Sequence, residues 1–262
     1  MMNTVRLKNL TIGCGRQKIC VPITATTAEQ AVNAAKRILA GPVDFIEWRI
    51  DSMRSSSWTA IIDTADQLNA VLGQTPLLAT FRSVNEGGKQ SISEEDYFHL
   101  YEALAMQKLA DAFDLELSRS DDMRTRLVKR LHELGRMVVF SAHYFSCTPA
   151  ESKIISILKK MEAEHADIAK IAVMPNAQAD VLRLMHATLK ASQAMTVPIV
   201  TMSMGRLGKL SRISGALTGS AVTFGSVDQA SAPGQIEVNF LKQILNELAV
   251  NEVDSDQSIR KF

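Results

Sequence analysis

The chain has 262 residues, 46% of them hydrophobic and 22% charged, and its 29 Lys and Arg residues nearly balance its 28 Asp and Glu residues. A chain of this kind can bury a sizeable core, as one large domain or two small ones. The net charge of +1 does not suggest binding to nucleic acid or to an acidic membrane surface. No apolar run approaches the roughly 20 residues that span a bilayer. The N-terminus also lacks the apolar stretch of a signal peptide.

Short β-rich runs alternate with amphipathic helical patterns along nearly the whole chain. The predicted strands cover 18–23, 45–51, 76–83, 112–117, 136–143, 168–175, 198–204 and 221–226. The predicted helices lie near 28–40, 57–72, 94–108, 122–134, 149–164, 177–193, 206–217 and 235–249. Two helix starts carry capping signals: Ser93 before an acidic turn, and Thr148 followed by Pro149.

Strict alternation of strand and helix predicts parallel strands joined by crossover helices. Eight such units within about 240 residues match a closed (βα)8 TIM barrel in number and size. An open doubly wound sheet is the competitor, but no glycine-rich phosphate turn follows the first strand. We therefore expect a barrel domain over residues 1–250, a hairpin within 5–16 closing its floor, and a flexible polar tail over 251–262.

Polar residues interrupt the apolar strand pattern where a barrel places its chemistry, at the C-terminal ends of the strands. They include Glu47 and Arg49, Arg82 and the loop residue Glu86, Glu116, His143, Lys170, and Arg212 in the segment after 198–204. Met202 and Met204 share one face of that strand. Such converging charge indicates a small, polar, anionic substrate.

Lys170 lies in the middle of the apolar run at 168–175. Burial disfavours the ammonium form and favours a neutral amine, the nucleophile that Schiff-base chemistry on a ketone requires. His143 is the histidine placed at a strand end, so it is the candidate general base. Nearby arginines would bind a carboxylate, and Glu86 would orient the imidazole.

Each of these residues also has a purely structural explanation. Glu47 and Arg49 could form an ion pair within one strand, Met202 could simply fill the core, Arg212 could lie on a solvated helix face, and Lys170 could protect an exposed sheet edge. The three scattered cysteines argue against a disulfide framework and a zinc site. They are consistent with reduced thiols and a cytoplasmic protein.

The chain resembles the type I 3-dehydroquinate dehydratases of the shikimate pathway from about residue 5 to residue 249. The matching segments are EWRID (47–51), TFRSVNEGG (80–88), DLEL (114–117), SAHYFSCTP (141–149), KIAVMP (170–175), MSMGRLGKLSR (202–212), TFGS (223–226) and SAPGQI (231–236). The SAPGQ segment together with the strand lysine is the most specific part of this pattern.

The resemblance implies that Lys170 forms a Schiff base with the C3 ketone of 3-dehydroquinate. It also implies that His143 removes a C2 proton and later protonates the departing C1 hydroxyl, and that Glu86 pairs with His143. The product would be 3-dehydroshikimate, formed by syn elimination with no cofactor and no metal. Family members are commonly homodimers, so a homodimer is expected here as well.

The resemblance further assigns residues that bind the substrate. Arg212 would bind its carboxylate, while Glu47, Arg49 and Arg82 would hold the ring hydroxyls. A loop carrying Ser231 and Gln235 would close over the substrate, and Met202 and Met204 would pack against the ring. One departure is visible: some members have a substrate-contacting serine at the end of the first strand, where this chain has Pro22.

Two other functions compete with this interpretation. A Schiff-base aldolase of the transaldolase kind also places a lysine on a barrel strand, but it should show a phosphate site near the last two strands. A barrel that binds a metabolite without converting it would not need both Lys170 and His143.

Overall fold

The computed structural model describes residues 4–55, 57–227 and 234–249. Its strands are β1 (Val5–Leu7), β2 (Leu10–Ile12), β3 (Lys18–Ile23), β4 (Phe45–Arg49), β5 (Leu77–Thr80), β6 (Ala112–Glu116), β7 (Met137–Tyr144), β8 (Ile168–Val173), β9 (Ile199–Ser203), β10 (Val222–Ser226) and β11 (Ile236–Glu237). All eight predicted strands are present, and each end lies within three residues of its predicted position. The tail predicted at 251–262 lies outside the described residues.

Nine strands form one parallel sheet in the order β11-β10-β3-β4-β5-β6-β7-β8-β9. At its two ends, Ile199 of β9 forms an isolated parallel bridge with Ser220, and the Ala221 amide donates to the Ile199 carbonyl at 2.8 Å. Because Ser220 and Ala221 lead directly into β10, the sheet curls so that β9 approaches the start of β10. The fold is therefore α/β with a curled parallel sheet.

The connections between the strands are mostly helical. The helices are α1 (Ala28–Leu39), α2 (Trp58–Leu72), α3 (Glu94–Met106), α4 (Asp121–Glu133), α5 (Glu151–Ala163), α6 (Gln178–Ala194), α7 (Lys209–Ile213), α8 (Gly215–Thr218) and α9 (Val238–Glu247). The single helix expected over 206–217 is wrong, since α7 and α8 are two short helices separated at Ser214. Within the described ranges, no helix combines the length and apolar character needed to cross a membrane.

The two predicted helix caps have different outcomes. The Ser93 side chain accepts a hydrogen bond from the Asp96 amide at the start of α3, which confirms the first cap. The Thr148 cap is wrong, because α5 begins at Glu151 after Ala150. The Thr148 hydroxyl instead donates to the Met174 carbonyl at 3.0 Å. This hydrogen bond connects the loop after β7 with the residue that follows β8.

The strands bury different residues on their two faces, as a period of two requires. Along β8, Ala169, Ile171 and Val173 belong to the large apolar core that also includes helix residues. Ile168 and Ala172 point the other way, into a second apolar cluster. That inner cluster contains Cys20, Phe45, Leu78, Ala112, Val139, Val200 and Val222 from the other strands.

A short antiparallel hairpin precedes the parallel sheet. Strands β1 and β2 pair through Val5 with Ile12 and Leu7 with Leu10. Leu7 and Ile12 are buried and belong to the inner cluster at the N-terminal end of the sheet strands. The hairpin therefore packs its apolar side against the interior of the curled sheet.

Candidate active site

Lys170 occupies the middle of β8 and is almost fully buried. Its Nζ atom donates to Asp114 Oδ2 at 2.9 Å, lies 3.6 Å from Glu47 Oε1, and lies 4.6 Å from the centre of the Phe224 ring. The alternative that Lys170 protects an exposed sheet edge is wrong, because β8 is paired on both sides. The amine therefore lies within ion-pair distance of two carboxylates, a pairing that the sequence interpretation did not foresee.

Asp114, which the sequence interpretation did not select as a site residue, connects the cationic side chains of the site. Its carboxylate accepts hydrogen bonds from Lys170, from Arg82 Nη2 at 2.6 Å and from Ser141 Oγ at 2.5 Å. Burial alone would raise the pKa of Asp114, but the guanidinium of Arg82 and the ammonium of Lys170 outweigh it and hold this pKa well below its usual range. Asp114 therefore stays charged across the working pH range.

Arg82 follows β5 and is buried among carboxylates. Besides Asp114, its Nη1 atom donates to Ser141 Oγ at 2.9 Å, to Glu116 Oε1 at 3.3 Å and to Glu86 Oε2 at 3.4 Å. Burial disfavours its charge, yet the surrounding carboxylates raise the Arg82 pKa above its ordinary value. Arg82 therefore acts as a permanent positive centre that holds three carboxylates in place.

His143, near the end of β7, contacts Glu86 directly. The distance from His143 Nδ1 to Glu86 Oε2 is 2.9 Å, and the Ser118 hydroxyl donates to Glu86 Oε1 at 2.6 Å. Burial, together with the positive charges of Arg82 and Lys170, lowers the His143 pKa well below 6.5. An ionised Glu86 can only accept, so Nδ1 carries the proton of the neutral imidazole and Nε2 is left as the basic atom.

The loop that carries Glu86 depends on two glycines. Gly87 has φ +80°, and a Cβ there would lie 2.3 Å from the Phe145 ring. A Cβ at Gly88 would lie 1.8 Å from the Arg82 carbonyl oxygen, so this loop folds tightly back on itself. Phe145 in turn stacks beside the His143 ring, with centroids 6.2 Å apart.

One cavity of about 200 Å³ collects most of the predicted site residues. Its lining includes Pro22, Glu47, Arg49, Arg82, Glu86, His143, Lys170, Met202, Met204, Arg212 and Gln235, together with Gly87, Phe145, Ala172 and Phe224. Ser231 lies outside the described residues. The cavity lining therefore contains every described residue to which a catalytic or binding role was assigned, whereas Glu116 lies outside this lining and contacts Arg82.

The remaining polar residues of the cavity differ in how they are held. Glu47 accepts from the Thr80 hydroxyl at 3.0 Å, and Arg49 donates to both oxygens of Asp51 at 2.8 Å. Arg212 is buried with Nη1 3.8 Å from Met202 Sδ, so its placement on a solvated helix face is wrong. Burial lowers the Arg212 pKa to about 10, which still leaves it charged at neutral pH.

The described residues offer no cluster of three or more His, Cys, Asp or Glu side chains arranged for a metal ion. The cavity instead joins a buried amine to a neutral imidazole oriented by a carboxylate. A buried guanidinium on the same wall suits an anionic group of a ligand. This set of groups can perform amine–carbonyl chemistry and move a proton beside it.

Comparison with known proteins gives consistent matches over nearly the whole chain. Residues 19–252 match the family model described as Type I 3-dehydroquinase. The 3-dehydroquinate dehydratase of Listeria welshimeri serovar 6b is 44% identical over 246 residues, which cover 94% of this chain and 98% of that protein. The catabolic 3-dehydroquinate dehydratase of Acinetobacter baylyi is 44% identical over 245 residues, covering 93% and 90%.

Solved structures agree with these sequence matches. The type I 3-dehydroquinate dehydratase of Clostridium difficile, solved with covalent modified comenic acid, aligns with a TM-score of 0.91 at 38% identity. The alignment covers 95% of this chain and 98% of that one.

Proposed function

This chain belongs to the type I 3-dehydroquinase family and is a 3-dehydroquinate dehydratase of the shikimate pathway, and from that premise we propose that it removes water from 3-dehydroquinate through a Schiff base on Lys170. The observation that carries the proposal is the placement of a buried Lys170 and a Glu86-bound His143 in one cavity. The covalently modified ligand of the Clostridium difficile relative supports covalent chemistry in this family.

In the first step, Lys170 gives up a proton to His143 Nε2, and its neutral amine attacks the C3 carbonyl carbon of the substrate. His143 returns that proton to the hydroxyl group formed at C3, so that this group can leave as water. The carbinolamine that forms loses water and becomes an iminium, which acidifies the hydrogen atoms at C2. The neutral imidazole of His143 and the fixed carboxylate of Asp114 lie beside the reacting groups. The Asp114 carboxylate stabilises the positive nitrogen both as the ammonium and as the iminium.

In the second step, His143 Nε2 takes a proton from C2, and the electron pair of that C–H bond forms an enamine. The enamine then expels the C1 hydroxyl, which leaves as water with the proton that His143 returns. Removal and return of the proton by one base on one face gives syn elimination. Hydrolysis of the product iminium releases 3-dehydroshikimate and restores Lys170, and positioned proton transfer of this kind contributes about 10²–10⁴ in rate.

We assign substrate binding to the other residues of the cavity. Arg212 pairs with the substrate carboxylate, which supplies a negative charge to a guanidinium whose pKa burial lowers to about 10. Glu47 and Arg49 hold the ring hydroxyls. Arg82 contributes mainly through the carboxylates it anchors, because only 3% of it is exposed.

The remaining contacts come from the walls and the entrance of the cavity. Met202 and Met204 pack against the ring, and Gln235 faces it from the entrance. Pro22 lines the wall where some relatives have a serine, so no side-chain hydrogen bond to substrate comes from this position.

We also infer the larger architecture that holds the site. The bridge between Ile199 and Ser220 supports a closed (βα)8 barrel, because an open doubly wound sheet would leave two separate edges. The hairpin β1–β2, with Leu7 and Ile12 in the inner cluster, would close the barrel floor. A homodimer stays a prediction from the family resemblance, and a cytoplasmic location stays a prediction from the scattered cysteines.

Borohydride trapping tests the covalent mechanism directly. The protein is mixed with 3-dehydroquinate, reduced with sodium borohydride, digested and examined by peptide mass analysis. We expect one adduct, on the peptide that carries Lys170, and none in Lys170→Ala. Lys153→Ala, which alters an exposed lysine of α5, should trap as well as the unaltered chain.

Turnover of 3-dehydroquinate without an adduct at Lys170 would refute the Schiff-base proposal while leaving the dehydratase activity in place. An adduct formed equally well with sugar phosphates would favour the aldolase alternative.

A further inference from the structure

Ser118 lies in the turn after β6 and continues the polar side of that strand. Asp114 and Glu116 of β6 both reach Arg82, and Ser118 is the next residue at the same spacing of two. The Leu117 amide donates to the Ser141 carbonyl at 2.8 Å, so pairing with β7 extends past Glu116. The Arg119 amide then bonds to the Glu116 carbonyl at 3.2 Å and closes the turn.

The Ser118 hydroxyl donates to Glu86 Oε1 at 2.6 Å, and this leaves Glu86 Oε2 for His143 Nδ1 at 2.9 Å. The two oxygens of Glu86 therefore have different partners. Rotation about the last bond of a glutamate side chain is soft and roughly two-fold, so one partner alone does not fix the carboxylate plane. Arg82 contributes only a long contact of 3.4 Å to Oε2. Ser118 thus supplies the second anchor.

We propose that Ser118 is a positioning residue of the dehydration, whose hydroxyl holds the Glu86 carboxylate in the orientation that keeps the proton of His143 on Nδ1. This inference rests on the proposed role of His143 as the base. With Nδ1 protonated, Nε2 is free to take the C2 proton. Ser118 touches neither the substrate nor the reacting atoms and acts only through Glu86.

The electrostatic surroundings of Glu86 explain why this anchor matters. Charged and titratable groups face it from four strands or their adjoining loops: Arg82, Asp114, Glu116, His143, Tyr144 and Lys170. Burial raises the Glu86 pKa, whereas the Arg82 charge and the Ser118 hydrogen bond lower it. Loss of the hydroxyl removes one lowering contribution, so Glu86 binds its proton at higher pH.

A protonated Glu86 would reverse the hydrogen bond to His143. Its O–H would donate to Nδ1, and the proton of the neutral ring would move to Nε2, where it blocks the base. Activity would then be lost at a higher pH on the acidic side of the profile. The position of that acidic limb is a readout that a purely structural role of Ser118 would not move.

The test compares Ser118→Ala with Ser118→Thr, which keeps a hydroxyl, and with Ser91→Ala, which alters an exposed serine in the segment between β5 and α3. For Ser118→Ala we expect kcat to fall about tenfold, the effect of losing one hydrogen bond that supports the transition state. KM should change little, and the acidic limb of kcat/KM should move to higher pH. Ser118→Thr should restore both, and Ser91→Ala should match the unaltered enzyme.

Nitrogen-15 NMR of the His143 ring supplies an independent measurement on the same variants. The unaltered protein should show a protonated Nδ1 and an unprotonated Nε2 at neutral pH, with a larger share of the Nε2–H form in Ser118→Ala. The proposal would be overturned if kcat and the acidic limb were both unchanged in Ser118→Ala. That result is expected if a water molecule takes the place of the hydroxyl. Equal losses in Ser118→Ala and Ser118→Thr would overturn it too.

The proposed mechanism fails by a different result, the absence of an adduct at Lys170 in the unaltered enzyme. The two failures are therefore distinguishable.

Discussion

The interior of the curled sheet has an apolar half and a charged half, and on the five strands from β4 to β8 only two residues separate them. The apolar half lies toward the N-terminal ends of the strands, beside the hairpin, and the charged half lies toward their C-terminal ends. Neighbouring inward positions change from apolar to polar or charged in this way at Phe45 and Glu47, Leu78 and Thr80, Ala112 and Asp114, Val139 and Ser141, and Ile168 and Lys170.

The two halves are stabilised by different physics. The apolar half gains free energy by removing area from water, at about 25 cal/mol per Å². The charged half is stable only as a set, since removing one partner leaves the others buried without compensation. We therefore expect substitutions in the apolar half to change stability and those in the charged half to change activity, stability or both.

The sharpest separation should appear on one strand, between Lys170 and Ile168. Lys170→Ala removes the proposed nucleophile and should lower turnover of 3-dehydroquinate by at least about 10³-fold, with weak binding retained. Ile168→Val, two residues earlier on the same face, should reduce the free energy of unfolding by about 0.5–1.5 kcal/mol and leave kcat unchanged. Steady-state kinetics and urea unfolding of both variants measure these effects. A Lys170→Ala enzyme with more than a tenth of normal turnover would contradict the assignment.

Asp114→Asn should show that the charged half also contributes to stability. The substitution keeps the shape of the side chain but leaves Lys170 and Arg82 without their shared carboxylate. We expect the free energy of unfolding to fall by about 3–5 kcal/mol, measured by urea denaturation, together with a loss of kcat. The control is Glu133→Gln in an exposed pair with Lys129 at 4.0 Å, which should change stability by less than about 1 kcal/mol. Similar effects in the two variants would contradict the distinction.

Leu78→Ala tests whether a substitution in the apolar half lowers stability and leaves kcat unchanged. Leu78 is 2% exposed and belongs to the inner cluster, so truncation should reduce the free energy of unfolding by about 2–4 kcal/mol through lost burial and a residual cavity. The folded fraction should keep the kcat of the unaltered enzyme. Thermal unfolding together with kinetics well below the melting temperature provides the measurement, and a tenfold lower kcat would show that the two halves are mechanically coupled.

The strands could be predicted from sequence because each one has two buried faces and reads as a short apolar run. The end of β5 could not. The prediction extended it to residue 83, but the strand ends at Thr80. The amides of Phe81, Arg82 and Ser83 bond to Tyr101, Asp51 and Glu116 side chains instead. These acceptors are 20 to 33 residues away, and local sequence does not show them.

The candidate site could be predicted where a residue type is unusual for its position, as for Lys170 and His143. Asp114 was missed as a site residue even though its spacing of two from Glu116 indicated a second inward carboxylate on β6. Its importance comes from Lys170, 56 residues later in the chain. Ser118 continues the same spacing of two, but a serine in a turn is ordinary and only the fold brings it to Glu86.

The smallest expected effect is a pH dependence of stability that comes from the charged half alone. Burial and the charges of Arg82 and Lys170 lower the His143 pKa in the folded chain. In the unfolded chain the pKa of a histidine is about 6.5. Below that pH the unfolded chain binds a proton that the folded chain does not, so stability is complete above pH about 6.5 and falls as the pH drops.

His143→Asn should remove up to about 1.4 kcal/mol per pH unit of this slope. Urea unfolding between about pH 5.5 and 7 measures the slope of the unfolding free energy against pH. This range limits the opposing contribution of Glu86, because burial raises the pKa of that carboxyl. Leu78→Ala should keep the slope of the unaltered protein, and a slope that is the same in His143→Asn would mean that His143 takes up its proton in the folded chain as readily as in water.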